Sequence, residues 1–250
     1  PLNWYQTKSQ SEIDRLVGLG LNDESFYPLE EMHRKSYFSK SNYSNVNVAL
    51  NVKIIEGLDV DLRYQLEKNN SLVQNYYDPQ SYTLRNQINN SSIVNADGSI
   101  KHLIPEGGYI DETRSDKNSY TLRAQINFNR TFDGKHEVSA IAGGERRAVH
   151  STSTYVEKYG YDKVSLAHKY LDEATLNQTQ QGTEAINNSY THVPNGYPDT
   201  FGDKEDRYVS FYGNASYTYD RRYAITGSIR MDQSNLFGTN PKYQYKPLWS

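Results

Sequence analysis

Residues 45–67 read NVNVALNVKIIEGLDVDLRYQLE, and almost every second one is apolar. Val46, Val48, Leu50, Val52 and Ile54 alternate with Asn45, Asn47, Asn51 and Lys53, with the small Ala49 between them. After Glu56-Gly57 the pattern resumes as Leu58, Val60, Leu62, Tyr64 and Leu66 against Asp59, Asp61, Arg63, Gln65 and Glu67. Successive strand side chains point to opposite faces, so each half has one apolar wall and one polar wall. With only a short turn between them, the halves read as an antiparallel hairpin whose second face is unusually polar.

Two further units repeat the design. Tyr120, Leu122, Ala124, Ile126, Phe128 and Phe132 alternate with Thr121, Arg123, Gln125, Asn127, Asn129 and Thr131. Asp133-Gly134, a strong hairpin signal, then leads into His136 to Arg147. That segment reads as the weakest strand, because Ile141 faces opposite Val138, Ala140 and Ala142. The third unit runs from Arg207 to Tyr219, turns at Asp220-Arg221-Arg222, and continues from Tyr223 to Asp232. In it Val209, Phe211, Ala215, Tyr217 and Tyr219 share a face, as do Ile225, Gly227, Ile229 and Met231.

Between the hairpins lie polar stretches, Glu67 to Ser119 and Ala148 to Asp206, each of about fifty residues or more, where connections in compact domains run to roughly 4–6. Short turns at one end, long loops at the other and strands of roughly 9–13 residues are the pattern of a transmembrane β-barrel. A two-sheet sandwich alternates in the same way. On pattern alone both readings stay open.

Composition narrows the classes. The chain of 250 residues carries 23 Tyr, no Cys and a formal net charge of −3, with a mean hydropathy of −0.86. No apolar run approaches the roughly 18 residues of a membrane helix. That excludes spanning by helices but not by strands, whose apolar residues are diluted by lumen-facing polar ones. Tyr43, Tyr64, Tyr120, Tyr208, Tyr217, Tyr219 and Tyr223 are expected near strand ends, where an aromatic girdle sits. Without Cys there are no disulfides and no zinc-thiolate sites. His33, His102, His136, His150, His168 and His192 are scattered, and no HExxH pair, phosphate loop, nucleophile elbow or basic helix occurs. The expectation is therefore a non-enzyme with no cofactor, no metal and no nucleic-acid partner. Asp59 and Asp61 share a strand face and read as wall lining rather than a catalytic pair. Gly143-Gly144 reads as strand flexibility, Gly107-Gly108 as a loop turn, and Arg146-Arg147 and Arg221-Arg222 as solvated charges.

Several ordered pieces add a resemblance. YVSFYGNASY at 208–217, Arg222-Tyr223, ITGSIRMDQSNLFGTN at 225–240 and KPLWS at 246–250 resemble the barrel signature of the SusC/RagA family of TonB-dependent outer-membrane transporters. Upstream, SYTLRNQIN, YTLRAQINFNRTF, GKHEVSAIAGGERR and YGYD resemble the same family in the same order. The likeness covers residues 45–250. Residues 1–44, with PLNWY and FYPLEEM, form a loop or strand segment that it does not place.

The resemblance implies that a signal peptide, a small carboxypeptidase-like domain, a TonB box, a plug and the strands closing a barrel of about 22 belong to the parent protein. Residues 45–250 are then expected to be an all-β, antiparallel barrel segment of about six strands, with a seventh beginning near Tyr245. Its open edges cannot stand unpaired in lipid, so it has to work within a larger protein. The turns at Glu56-Gly57, Asp133-Gly134 and Asp220-Arg222 would be periplasmic, and Glu67–Ser119, Ala148–Asp206 and Gln233–Gln244 would be extracellular. Leu50, Val52, Leu62, Leu122, Ile126, Phe211 and Ile229 would face outer-membrane lipid. Asn47, Asn51, Asp61, Arg63, Arg123, Gln125 and Asn127 would face the lumen and plug.

In the outer loops Tyr76, Tyr77, Tyr82 and Arg85 form one group of candidate cargo or lid contacts, and Tyr155, Tyr159 and Tyr161 a second. Val164, Ala167, Leu171 and Ala174 recur at near-helical spacing and suggest a short amphipathic helix between Lys163 and Leu176. By resemblance the function is import of glycan oligomers or peptides. A SusD-like surface lipoprotein would act as lid and the TonB complex would supply energy, with no bond broken. Two alternatives stay open: a siderophore or cobalamin receptor of the same barrel class, and a secreted β-sandwich adhesin or glycan-binding protein.

Overall fold

The computed structural model of the chain describes residues 6–95, 97–178, 199–238 and 246–250. In chain order the elements are α1 (Gln10–Gly18), α2 (Pro28–Arg34), β1 (Lys35–Ile55), β2 (Leu58–Tyr77), α3 (Tyr82–Asn90), β3 (Ser92–Val94) and β4 (Ile100–His102). They continue as β5 (Gly108–Phe132), β6 (His136–Tyr161), α4 (Glu173–Gln178), β7 (Thr200–Tyr219), β8 (Tyr223–Ser234) and β9 (Pro247–Trp249). Seven strands form one sheet in the order β1-β2-β5-β6-β7-β8-β9, and β3 pairs with β4 as a separate antiparallel ribbon. The all-β, antiparallel expectation holds, and the large sheet is an open strip.

The short turns follow from backbone chemistry. Asp133 and Gly134 both have positive φ, as do Asp220 and Arg221. The Lys135 N–H closes the first of these turns on the Phe132 carbonyl at 3.1 Å, and the Arg222 N–H closes the second on Tyr219 at 3.0 Å. Positive φ at both central positions gives a turn the twist that flanking strands need. Gly57, with φ 80°, lies so close to the next hairpin that a Cβ there would stand 2.4 Å from the Asn129 carbonyl oxygen. The Gly57 carbonyl in turn accepts from the Asn129 N–H at 2.7 Å, and the Asp220 N–H donates to the Lys135 carbonyl at 2.8 Å. The turns are thus tied to their neighbours.

The strands run well beyond the expected lengths: 21, 20, 25, 26 and 20 residues for β1, β2, β5, β6 and β7. Apolar alternation stops where both faces become polar, but the ladder continues. Between β2 and β5 it carries side-chain pairs such as Asn75 donating to Asp111 at 2.8 Å and Ser119 donating to Glu67 at 2.8 Å. Much of the expected loop Glu67–Ser119 and of Ala148–Asp206 is therefore strand. The expected strand His136 to Arg147 is the first part of β6, which runs on to Tyr161. Tyr43, Tyr64, Tyr120 and Tyr208 consequently lie inside strands, while Tyr217, Tyr219 and Tyr223 flank a turn. The strand start expected near Tyr245 lies outside the described residues, as do His192 and the middle of the third loop.

The chain divides into two compact units. The sheet unit comprises Ser41–Asn70, Ser115–Ser153 and Gly202–Ser250, and the loop unit Pro1–Lys40, Ser71–Arg114 and Thr154–Phe201. The loop unit has a hydrophobic core of Leu84, Ile88, Leu103, Ile104, Tyr159 and Leu176, with a second small cluster of Leu16 and Leu21. Leu84 and Ile88 lie four residues apart on α3 and so share the face that is buried. Ser9 caps α1 by accepting the Glu12 N–H, and Pro28 opens α2, where a missing N–H costs nothing.

Residues 6–34, which sequence reasoning could not place, pack on α3. Glu31 accepts the Tyr82 N–H with both carboxylate oxygens at 3.0 Å, capping α3 from another element. Glu24 and Asn89, both fully buried, are joined by a 2.9 Å hydrogen bond. The helix expected between Lys163 and Leu176 is reduced to α4. Asp162 takes the Val164 and Ser165 N–H groups, and Leu166 has φ 59°, which breaks a helix at that point.

Candidate functional site

Two surfaces can carry function, one in each unit. In the sheet unit, odd-numbered residues of β1, β2 and β5 and even-numbered residues of β7 make a polar face joined side chain to side chain. Tyr212 of β7 lies across β6 and reaches β5, where its hydroxyl accepts from Arg123 Nε at 2.8 Å and donates to Gln125 at 2.8 Å. Arg123 also donates to Gln125, Gln125 to Asn127, and Asn127 to both Asp59 and Asp61 at 2.7 Å. Asn51 closes the chain on Asp61 at 2.9 Å. Gly143 makes this crossing possible, because a Cβ there would stand 2.6 Å from the Tyr212 hydroxyl. Its role is close approach rather than strand flexibility.

The opposite face is apolar and uncovered. Val46, Val48, Leu50, Val52, Ile54, Leu62, Leu66, Leu122, Ile126, Phe211, Ile225 and Ile229 are all exposed. The apolar stretch runs from 46 to 54 on β1, 58 to 66 on β2 and 209 to 219 on β7, close to the roughly 9–11 residues a tilted strand needs to cross a bilayer. Beyond it, on the same face, come Lys68, His150, Asp203, Glu205 and Arg207. Arg146 stands over the Tyr120 ring at 5.9 Å, and Arg147 pairs with Glu67 at 3.8 Å, so neither is only a solvated strand-end charge.

In the loop unit the tyrosines form two clusters on opposite sides of β2. Tyr76 meets Tyr161 edge-on at 6.1 Å, with Lys163 5.0 Å over its ring. Tyr77 meets Tyr109 at 5.7 Å, Tyr109 meets Tyr159 at 4.7 Å, and Lys35 lies 4.6 Å over Tyr77. Gly160, with φ 62°, breaks the alternation of β6, which is how Tyr159 and Tyr161 come to face opposite ways. Gly107 packs against it so tightly that a Cβ would stand 2.6 Å from the Gly160 Cα, and Gly108 already begins β5. Burial pushes the Tyr109 and Tyr159 phenols far above the ordinary tyrosine range, and those of Tyr76 and Tyr155 upward as well. Tyr109 and Tyr155 both donate to Glu157, at 3.0 and 3.3 Å. Among the described residues no group of His, Asp or Glu is arranged to hold a metal ion.

No family model matches the sequence, and no curated protein does. Solved structures do. The RagAB peptide transporter superposes with a TM-score of 0.58 at 18% identity, over 87% of this chain and 20% of that chain. The RagAB peptide importer in its "open-open" state gives 0.59 at 19% identity over 90% of this chain and 20% of that one, and its "closed-closed" state 0.58 at 18% over 87% and 20%. The chain has the fold of a section of that transporter. It spans about a fifth of the length of the RagAB chains it matches.

Within this RagAB-like fold the sequence-predicted residues fall into distinct settings. Asn51, Asp61, Arg123, Gln125 and Asn127 belong to one network, while Asn47 and Arg63 line a cavity of about 390 Å³ beside Arg123 on the same face. Tyr76, Tyr77, Tyr155 and Tyr161 are half-buried with their rings in contact or bonded to neighbours. Tyr159 is buried and accepts from Gln87 at 2.7 Å. Tyr82 and Arg85 lie on α3, not in an irregular loop. Tyr82 packs edge-on against Phe26 at 5.3 Å. Arg85 is buried, donating to the carbonyls of Asp23 and Ser25, the latter at 2.9 Å. Its guanidinium holds residues 23–25 in place, a structural role beside its reading as a candidate cargo or lid contact. Sequence reasoning missed Tyr212, Tyr109, Glu24, Glu31 and Asn89. Only strand register and helix docking reveal them, although the small residue pair Gly143-Gly144 was a usable sign that something large lies across β6.

Proposed function

We propose that the chain is a section of barrel wall and outer loops from a TonB-dependent outer-membrane importer of the SusC/RagA type. The observation that carries this reading is the apolar band of bilayer height on one face of a sheet whose other face is a continuous polar network. A β-sandwich would cover that apolar face with a second sheet, and among the described residues none lies over it. The likeness to RagAB structures supports the same choice. The polar residues Asn47, Asn51, Asp61, Arg63, Arg123, Gln125 and Asn127 line the lumen, where they meet a plug supplied by the rest of the protein.

The cargo is a peptide or glycan oligomer, held at the outer end with help from a SusD-like lipoprotein lid, and TonB provides the energy. Tyr76, Tyr77, Tyr82, Tyr155 and Tyr161, all half-buried, offer rings for such contacts, with Lys35 beside Tyr77 and Lys163 beside Tyr76. No step of the cycle breaks a bond in the cargo. The test is deletion of residues 163–198 in the full-length transporter, which leaves β6 and β7 intact. The barrel should still reach the outer membrane, while peptide or glycan uptake and copurification of the lid should fall at matched abundance. Full uptake with the lid still bound would refute a role for this loop in capture.

A further inference from the structure

The uncovered face of the sheet unit is not uniform. Where the apolar band gives way to charge, it holds a cavity of about 470 Å³, walled by Val46, Leu66, Tyr120 and Ala148 and bordered by Lys68, His150 and Glu205. The wall residues are even-numbered positions of β1, β2, β5 and β6, so the cavity opens on the same side as Val48, Leu50, Leu62 and Leu122, away from the Arg123 network. A cavity with such walls holds apolar atoms in preference to water. Cargo in a lumen cannot reach it.

The charges at its rim are unequally engaged. Glu205 is held by Arg207, and Asp203 by His150 at 2.7 Å. Lys68 is exposed and makes no ion pair or hydrogen bond among the described residues. Arg146 stands over the Tyr120 ring and, among the described residues, has no carboxylate within ion-pair distance, although its charge helps Arg207 hold the Glu205 carboxyl below the usual carboxylate range. Each acid at the rim thus has a partner of its own, and Lys68 stands outside these pairs. Apolar walls with Lys68 at the rim and Arg146 over the Tyr120 wall, at the upper limit of a bilayer-high band, match an acyl chain with a phosphate-bearing headgroup.

We propose that this cavity binds one acyl chain of an anionic, phosphate-bearing membrane lipid, with Lys68 and Arg146 as its headgroup cations. The site rests on the reading of this sheet as barrel wall, since only then does the apolar face meet lipid. A bound lipid there would fill a gap in the wall where Ala148, flanked by larger residues, leaves room. It would also hold the outer boundary of the band at a fixed depth.

The experiment is native mass spectrometry of the full-length transporter in detergent micelles, titrated with phosphatidylglycerol or with phosphatidylcholine carrying the same acyl chains. The wild type should retain phosphatidylglycerol over phosphatidylcholine by about tenfold, as two cations near a membrane surface allow. The double variant Lys68→Gln, Arg146→Gln should lose that preference, and Ala148→Phe, which fills the cavity, should retain neither lipid. Equal retention of the two lipids by the wild type, or an unchanged preference in both variants, would overturn the site. Heat-modifiable migration on unboiled gels reports the barrel separately. A wild-type protein that never migrates as a folded barrel sinks the wall reading, whereas a folded barrel without lipid preference sinks only this site.

Discussion

Replacing Gly143 by alanine sets a methyl group 2.6 Å from the Tyr212 hydroxyl and 2.7 Å from its ring carbon Cζ, so the tyrosine has to leave its place across β6. Two hydrogen bonds go with it, one from the Arg123 guanidinium and one to Gln125. A bond from a charged donor is worth about 1.5–3 kcal/mol and a neutral one about 0.5–1.5. Because this face meets water, the lower ends apply, and the expected cost is about 2 kcal/mol. The new methyl also stands 2.8 Å from the Ala124 carbonyl oxygen, a backbone strain that no change at Tyr212 relieves. Tyr212→Ala alone removes the same two bonds at a similar cost. The double variant should then cost at least ~1 kcal/mol less than the sum of the singles, since contacting residues are not additive. Urea unfolding of the refolded transporter in detergent micelles, followed by heat-modifiable mobility, measures all three. Additivity within about 0.5 kcal/mol would mean that Tyr212 does not occupy the space above Gly143.

Leu62→Arg should impair assembly into the outer membrane by about 2–4 kcal/mol if the apolar band faces lipid, while Arg63→Leu should be tolerated; equal recovery of both from membranes would reverse the facing. Arg85→Met leaves the Asp23 and Ser25 carbonyls short of a donor, at about 1–3 kcal/mol each. It should open residues 6–34 to limited proteolysis without changing barrel migration, and an unchanged cleavage pattern would deny the docking. Tyr109 and Tyr159 have folded pKa values raised by burial, so their contribution is fully present below the unfolded tyrosine value of about 10 and is lost as pH rises past it. Alkaline titration followed by tyrosinate absorbance should show these phenols ionising only together with loss of loop structure, and their titration in a still folded loop unit would contradict the burial.

The hairpins were legible because alternation and turn chemistry are local. Val46 to Leu66 states its two faces in every second residue, and Asp133-Gly134 states its turn. Strand length was not legible, because beyond Leu66 the ladder continues through Asn70, Gln74 and Asn75, whose partners Asp116, Glu112 and Asp111 lie some forty residues away and carry no periodic signal. The polar wall was found residue by residue, yet its organiser Tyr212 sits two strands from the groups it joins. In the loop unit, Arg85 looked like a binding residue because an arginine beside tyrosines has that composition. Its burial depends on residues 23–25 returning to α3, a tertiary event. Tyr109 was missed for the same reason, since its neighbours Tyr77 and Tyr159 come from other strands.

The loop unit draws on three stretches far apart in the chain: Leu84, Ile88, Leu103 and Ile104 of the second pack with Tyr159 and Leu176 of the third, while Leu16 and Leu21 of the first pack in a separate cluster against Val94 and Ile100 of the second. None of the three can bury its apolar side chains alone. The packing closes only once the last of them is in place. From then on, each buried leucine or isoleucine withdrawn would cost about 1.5–3 kcal/mol. Contacts between stretches so far apart in sequence form late, and once formed they hold the loop unit together as a clasp.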